Sequence, residues 1–323
     1  MAEARTATVV GGGVAGLASA VSLSQAGWQV TVLERAPEFG EVGAGVAITG
    51  NGMTALGAIG AADAVRAAGY QTSTAGYQSP DGRWRPSDLV VAADGVRSTV
   101  RAQLFPGAPA RYSGSTCWRA VIPDTSTDGR LFEVWGPETE FGFLRISDGE
   151  LYWFGYFRHR AGASFGDELA AARDRFAGWS PLIRSIVAAT TADQLMRHDV
   201  YYLPGGLHTY VRGRVVMIGD AAHAALPTVG GGASTALEDG VCVGRLIGAP
   251  VRDGADLGAA LAGFDQARRP RCQKIARLAV VTARLGCDLG GGWRQTARNA
   301  LLRLAPPKLL IRAGTQVVDW TPP

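Results

Sequence analysis

Four short apolar runs punctuate this chain: residues 6–10 (Thr-Ala-Thr-Val-Val), 29–34 (Gln-Val-Thr-Val-Leu-Glu), 88–93 (Asp-Leu-Val-Val-Ala-Ala) and 213–220 (Gly-Arg-Val-Val-Met-Ile-Gly-Asp). Runs of this length with little polar alternation predict strands buried on both faces, as in a parallel sheet covered by helices. Between the first two, Val14, Leu17, Ala18 and Val21 recur at i, i+3, i+4 and i+7. That spacing predicts a helix with this apolar face turned inward, ending at Gly27, where a C-terminal turn requires positive φ. Asn51 is a candidate N-cap for a further helix carrying Met53, Leu56 and Val65. Two aromatic runs, Cys117–Pro123 and Glu150–Phe157, predict strands of a different kind, with rings that a sheet core would absorb.

Composition narrows the field. The 323 residues are 47% hydrophobic, enough for a sizeable core, and the 44 glycines have no strict period, so their clusters need local explanations. A net charge of +4 without a long basic block argues against nucleic acid. The densest basic stretch, Arg268-Arg269-Pro270-Arg271 with Lys274 and Arg277, reads as the solvated face of a helix. Cys117, Cys242, Cys272 and Cys287 stand singly, which predicts reduced, buried thiols, and the four histidines lack metal spacing. A strand begins within a few residues of Met1 and no apolar stretch reaches 18 residues. The expectation is a cytoplasmic protein with no membrane partner.

The chemistry concentrates in three glycine-marked segments. Gly11-Gly12-Gly13-Val14-Ala15-Gly16 follows the first strand and opens the helix. Gly11 permits the tight turn, Gly13 lets backbone approach a pyrophosphate, and Gly16 allows close helix–strand packing. Glu34 ends the second strand where a carboxylate can accept hydrogen bonds from an adenosine ribose. This unit predicts a dinucleotide but does not choose among NAD, NADP and FAD. Asp94-Gly95 closes the third run, and taken alone is a turn signal. Asp220 closes the fourth and leads through His223 and Pro227 into Gly230-Gly231-Gly232, an arrangement suited to a ligand at the sheet's carboxyl edge.

With these three motifs in this order, the chain resembles the single-component flavoprotein aromatic hydroxylases, the family of the para-hydroxybenzoate, salicylate and urate hydroxylases. The resemblance implies an α/β fold: a Rossmann-like FAD-binding domain with a parallel sheet (1–110 and 200–250), an interleaved antiparallel-sheet substrate domain (111–199) and C-terminal helices (251–323). It implies that Gly11, Gly13, Val14, Ala15, Gly16, Glu34 and Arg35 hold the ADP half of FAD. Asp94 and Gly95 correspond to a motif that serves FAD and NAD(P)H. Gly219 and Asp220 correspond to the ribityl site, with Gly45, Val46, Pro227, Gly230, Gly231, Gly232 and Ala233 beside the isoalloxazine. Gly231 stands where the family carries Gln.

The implied reaction is reduction of FAD by NAD(P)H, addition of O₂ to give a C4a-hydroperoxide, and hydroxylation or epoxidation of a small aromatic or polycyclic substrate. A flavin reductase or dehydrogenase without oxygen insertion, and a non-catalytic flavin-binding protein, are the alternatives. The substrate's base is unassigned. Tyr152, Tyr156 and His159 are candidates only through their place on the substrate sheet, with His159 read first as an exposed strand-end residue. The protein is expected as a monomer or homodimer. One departure stands out: between Ser79-Pro80-Asp81-Gly82 and Asp88 the chain lacks several dozen residues that relatives carry. The loss implies a missing parallel strand beside that of Glu34 and an exposed sheet edge.

Overall fold

A computed structural model describes residues 5–36, 48, 50–67, 87–123, 132–147, 149–304 and 317–323. The chain opens with β1 (Thr6–Val10), α1 (Val14–Gln25) and β2 (Gln29–Leu33), then α2 (Gly50–Ala58), α3 (Ala62–Ala67), β3 (Leu89–Ala92) and α4 (Thr99–Leu104). It crosses into β4 (Arg111–Pro123), β5 (Phe132–Gly136), β6 (Thr139–Arg145), β7 (Glu150–Arg158), α5 (Glu168–Phe176), α6 (Pro181–Ala188) and β8 (Met196–Tyr202). It returns through β9 (Val211–Arg212) and β10 (Val215–Met217) to α7 (Asp220–His223), α8 (Gly232–Cys242), α9 (Ala249–Arg252), α10 (Leu257–Leu285) and α11 (Trp293–Leu304).

The four apolar runs become one sheet of order β2-β1-β3-β10-β9, parallel except for β9. The fourth strand is shorter than its apolar run, covering only Val215–Met217. β2 is an edge strand among the described residues. The shortened segment after Gly82 lies outside the described residues, as do Gly45 and Val46.

Helix α1 corrects one expectation. Leu17 and Val21 are 38% and 41% exposed, while the buried residues include Ala15, Ala18, Ser19 and Ser22. Leu23 is also buried, but where α1 meets Gly240 and Gly244 its residues were selected by size rather than hydrophobicity. A Cβ on Gly240 would meet the Ala18 Cβ at 2.4 Å, and one on Gly244 would meet the Ser22 Oγ at 1.7 Å, so the two backbones close to a distance only small side chains allow. Asn51 is not an N-cap either. It lies within α2, and its amide donates to Glu238 Oε1 at 2.5 Å. Val65 belongs to α3, separate from the helix of Met53 and Leu56.

The second sheet is antiparallel, β5-β6-β7-β4-β8. Alternation divides its aromatic residues between two faces. Trp118, Ile122, Phe141, Trp153 and Phe157 pack under α5 and α6 with Phe176, Ile183 and Ile186. Cys117, Tyr156 and Val200 point the other way, against Leu226 and against Ala279 and Ala283 of α10. The amino-terminal half of α10 instead supplies Leu261, Phe264 and Cys272 to the core of the parallel sheet, so this one helix joins the two sheets.

Glu140 sits on that second face with 1% exposure, and its Oε2 has no hydrogen-bond partner. Burial, aided by the Glu133 carboxylate, pushes its carboxyl up from 4.5 to about 8. A carboxyl raised in the fold contributes stability below its unfolded value, and that contribution is lost as pH rises toward 8. At about 1.4 kcal/mol per tenfold change in proton affinity, the effect reaches a few kcal/mol. Glu140→Gln is therefore expected to raise the melting temperature by several degrees in mildly alkaline buffer, by less as pH falls, and to change it little at pH 4.5 and below. Melting curves across pH check this, and a pH-independent difference contradicts it.

Candidate flavin site

The three glycine-marked segments meet at the carboxyl edge of the parallel sheet. Gly11 follows β1 with φ +100°, and a Cβ there would meet the Ala93 carbonyl oxygen at 2.6 Å, so the first segment abuts the residue preceding Asp94. A Cβ on Gly16 would meet the Gly11 oxygen at 1.9 Å, which fixes α1 directly over its own turn. Gly219, with φ +57°, lies where a Cβ would come within 3.1 Å of the Ala15 Cβ. Asp220 is thereby set beside the start of α1.

Arg101 completes the junction. It is 3% exposed; its Nη1 donates to the carbonyls of Asp220 (3.4 Å) and Ala221 (3.0 Å), its Nε to Ala108, and its Nη2 to Val96. Sequence reasoning missed it because one arginine in a short basic segment carries no signal of its own. Asp94, by contrast, is turned toward the protein. Its carboxylate accepts from the Ser98 hydroxyl (2.5 Å) and the Thr99 (2.8 Å) and Val100 (3.1 Å) amides, capping α4. Gly95, with φ +77°, provides the turn.

Two helices leave their first amides free of side-chain caps. The N-caps of α1 and α8 are Gly13 and Gly231, and neither helix has an acidic residue in its first turn. Exposed first-turn amides and the positive end of the helix dipole form an anion-binding position. Asp220 lies between them, open to solvent, while desolvation pushes its carboxyl up against the opposing effects of His223 and Arg101. Glu34 reaches from β2 to accept from the Gly12 amide (2.9 Å) and the Ala36 amide (2.9 Å), and Arg35 follows it on the exposed rim. These residues fit FAD: a glycine turn under an uncapped helix for the pyrophosphate, carboxylates at the ribose and ribityl positions, and a second uncapped helix for the ring.

The loop from Pro227 to Ala233 leads into α8. Pro227 opens a 3₁₀ turn, Gly230 takes φ +61°, Thr228 Oγ1 donates to the Ala279 carbonyl at 2.6 Å, and Gly232 and Ala233 begin α8. Gly231 has a local reason: a Cβ there would meet Val317 Cγ1 at 2.7 Å, so the 317–323 segment occupies space that a Gln side chain would need.

Of the proposed substrate-side residues, Tyr152 and Tyr156 share the sheet face toward this loop, and burial pushes both phenols up to about 12. His159 is not with them. Its ring stacks on Phe165 at 4.7 Å and neighbours Phe157, on the side covered by α5.

Beneath the loop lies a network of buried charges. His223 Nε2 meets Asp239 Oδ2 at 2.5 Å, Arg268 Nε donates to Asp239 Oδ1 at 2.7 Å, and the Gly219 amide donates to Asp239 Oδ2 at 2.9 Å. Arg268 also pairs with Glu238 (2.8 Å), as does Arg271 (2.6 Å). Arg268 and Arg271 therefore do not form the solvated face expected of the basic stretch. Their partners lie about thirty positions away on α8, a separation that local pattern does not reveal. Burial opposes charge on His223, but the Cys272 sulfur and the Asp239 carboxylate hold its proton well above the ordinary range. His223, Asp239 and Cys272 have potential ligand atoms within 4.8 Å of one another. The Arg268 guanidinium already occupies the Asp239 carboxylate that a metal would need, so the cluster reads as an ion-pair network.

Residues 85–279, more than half of the chain, match the FAD binding domain family, and residues 6–68 match the FAD dependent oxidoreductase family. Aurachin C monooxygenase/isomerase of Stigmatella aurantiaca is 30% identical over 82% of this chain and 85% of that protein. The chain belongs to the FAD-dependent monooxygenases of the aromatic hydroxylase family. Another relative of this monooxygenase is 2-heptyl-3-hydroxy-4(1H)-quinolone synthase of Pseudomonas aeruginosa, 37% identical over 70% of the chain and 59% of that protein. The crystal structure of Klebsiella pneumoniae HpxO complexed with FAD and uric acid shares the fold, with a TM-score of 0.82, 20% identity and 97% of both chains covered. The alignment with the Stigmatella protein runs over 333 positions while drawing on only 82% of 323 residues, so that relative carries residues with no counterpart in this monooxygenase.

Two outcomes are expected from this geometry. Asp220→Ala should weaken FAD binding roughly ten- to a hundredfold, the worth of one charge-assisted hydrogen bond; unchanged affinity in a flavin titration would remove Asp220 from the site. Asp239→Asn leaves His223 and Arg268 buried without their shared carboxylate and should lower unfolding free energy by about 3–5 kcal/mol. Urea denaturation measures this, and a loss below about 1 kcal/mol would show that Glu238 alone compensates both cations.

Proposed function

We propose that this monooxygenase transfers one atom of O₂ to a small aromatic or polycyclic substrate, with NAD(P)H as electron donor. The observation that carries the reading is the position of Asp220, exposed at the carboxyl edge of the parallel sheet, where Gly219 packs against Ala15 of α1 and Ala236 of α8, two helices whose N-termini have no side-chain caps. When bound, FAD supplies the exchange of electrons with NAD(P)H and the activation of O₂.

The chain's own residues do the rest. The amides of Gly11–Gly16 and the α1 N-terminus hold the pyrophosphate, Glu34 an adenosine ribose hydroxyl, and Asp220 a ribityl hydroxyl. The α8 N-terminus favours negative charge on the neighbouring ring system. On the substrate side, Arg119 lies between Phe154 and Met196 of the adjoining strands, and its buried Nε has no partner among the described residues. It offers a donor to a keto, phenolate or carboxylate oxygen. Tyr152, one step along the same face, stays protonated and can donate a second hydrogen bond. His198 lies on this face beside Cys117 and is open to solvent. Partial desolvation where the ring lies against the sheet, together with the charges of Arg119 and Arg197, lowers its affinity for a proton, so its neutral ring can receive one from a ring hydroxyl.

The relatives' names, an aurachin C monooxygenase/isomerase and a quinolone synthase, favour the fused-ring part of this substrate range. The purified protein is expected to be yellow with FAD and, with NAD(P)H, ¹⁸O₂ and a panel of hydroxylated ring compounds including quinolones, to yield a product carrying one ¹⁸O. NAD(P)H-dependent reduction of a substrate without ¹⁸O incorporation would establish the reductase reading instead. A flavin-loaded protein that consumes no NAD(P)H with any of them would favour a binding role.

A further inference from the structure

Helix α11 carries an apolar stripe that nothing among the described residues covers. At about 100° per residue, Trp293, Ala297, Ala300, Leu301 and Leu304 fall within roughly 100° of one another around the helix. All five are exposed, with Trp293 at 77%, Leu301 at 71% and Leu304 at 82%. The helix is held from a different side. Arg298, its one buried residue, donates to the Leu285 carbonyl (2.6 Å) and the Trp135 carbonyl (3.3 Å) and lies over the Trp135 ring. The stripe is therefore not a poorly packed core face, because the contact with the body of the protein is made elsewhere on the helix.

Charge identifies what the stripe fits. Exposed Arg294 borders one edge and exposed Arg303 flanks the other, so long cationic side chains bracket the apolar strip on both sides. Between Trp293 and Gln316 the chain has five basic residues and no acidic one. The nearby Asp288 is engaged by Arg158 at 3.3 Å. A second copy of the chain applied to this face in a two-fold arrangement would set the arginines of α11 against one another. An anionic lipid surface satisfies both features, accepting the indole and leucines below the headgroups while phosphates pair with the flanking guanidinium groups.

We propose that α11 is a peripheral membrane-binding helix that rests in the plane of an anionic bilayer. At 12 residues it is too short to span one, and among the described residues no helix is long and apolar enough to do so. The inference stands apart from the oxygenation reading, since it uses none of the cleft residues.

Co-sedimentation of the full-length protein with extruded vesicles tests it. Vesicles containing roughly one quarter phosphatidylglycerol should retain about tenfold more protein than vesicles of phosphatidylcholine alone, and added salt should reduce the difference. Two variants separate the contributions: Trp293→Ser with Leu301→Ser removes the apolar strip, and Arg294→Glu with Arg303→Glu reverses its flanks. All four side chains are exposed, so melting temperature and flavin content should stay unchanged while both variants lose vesicle binding. No retention by anionic vesicles, or retention unchanged in both variants, overturns the proposal. So does a solution dimer that both variants convert to monomer, because the occupant of the stripe would then be a second copy.

Discussion

Asp239 is fully buried and ties three parts of the chain at once, through the His223 ring, the Gly219 amide, and the Arg268 guanidinium with the Cys272 thiol. Each contact ties down a different part of the cofactor site. Gly219 sets the backbone that presents Asp220, His223 fixes the far end of α7, and Arg268 brings α10 against α8. Glu238, the neighbouring residue, extends the tie through Asn51 to α2 and through Arg271 to the carbonyl of Val317. Buried charges are costly to desolvate, and such a network adds less net stability than its contact distances suggest. It supplies uniqueness of position, because any displacement of one element leaves another's charge unpaired in a low-dielectric interior.

That fixed point lets two sheets of different character share one cleft. The parallel sheet brings its glycine turns and helix N-termini to one edge, and the antiparallel sheet turns one aromatic face toward the same place. Helix α10 spans both cores, and Thr228 pins the Pro227 loop to it. Arg97 over the Tyr201 ring, at 5.2 Å, adds a second link between the Asp94 segment and β8.

Much of this was legible along the chain because it depends on local constraints. Gly11, Gly16 and Gly219 occupy positions where any Cβ would strike backbone or a neighbouring side chain, and such positions leave a fixed pattern in sequence. The uninterrupted strands at residues 6–10 and 89–92 carry their burial in their composition. Of the apolar face read for α1, Ala18 is buried as expected, but the burial of Ser22 in place of Leu17 and Val21 was illegible because it follows from the close approach of Gly240 and Gly244, more than two hundred residues later. Arg101 was hidden for a similar reason, since its acceptors are carbonyls, which have no sequence signature.

The sequence by itself determined the glycine turn after the first strand, the four buried apolar strands and the family, because steric exclusion at glycine and hydrophobic periodicity act over a few residues. Only the tertiary structure decided which charges are solvated and which are buried. Arg268, Arg269 and Arg271 look alike as text, yet Arg268 lies 2% exposed between Glu238 and Asp239 while Arg269 pairs with Asp265 one turn away on its own helix. Which arginine faces inward depends on the rotation of α10 relative to α8. That rotation is fixed by packing between segments distant in the chain, where no local pattern reaches.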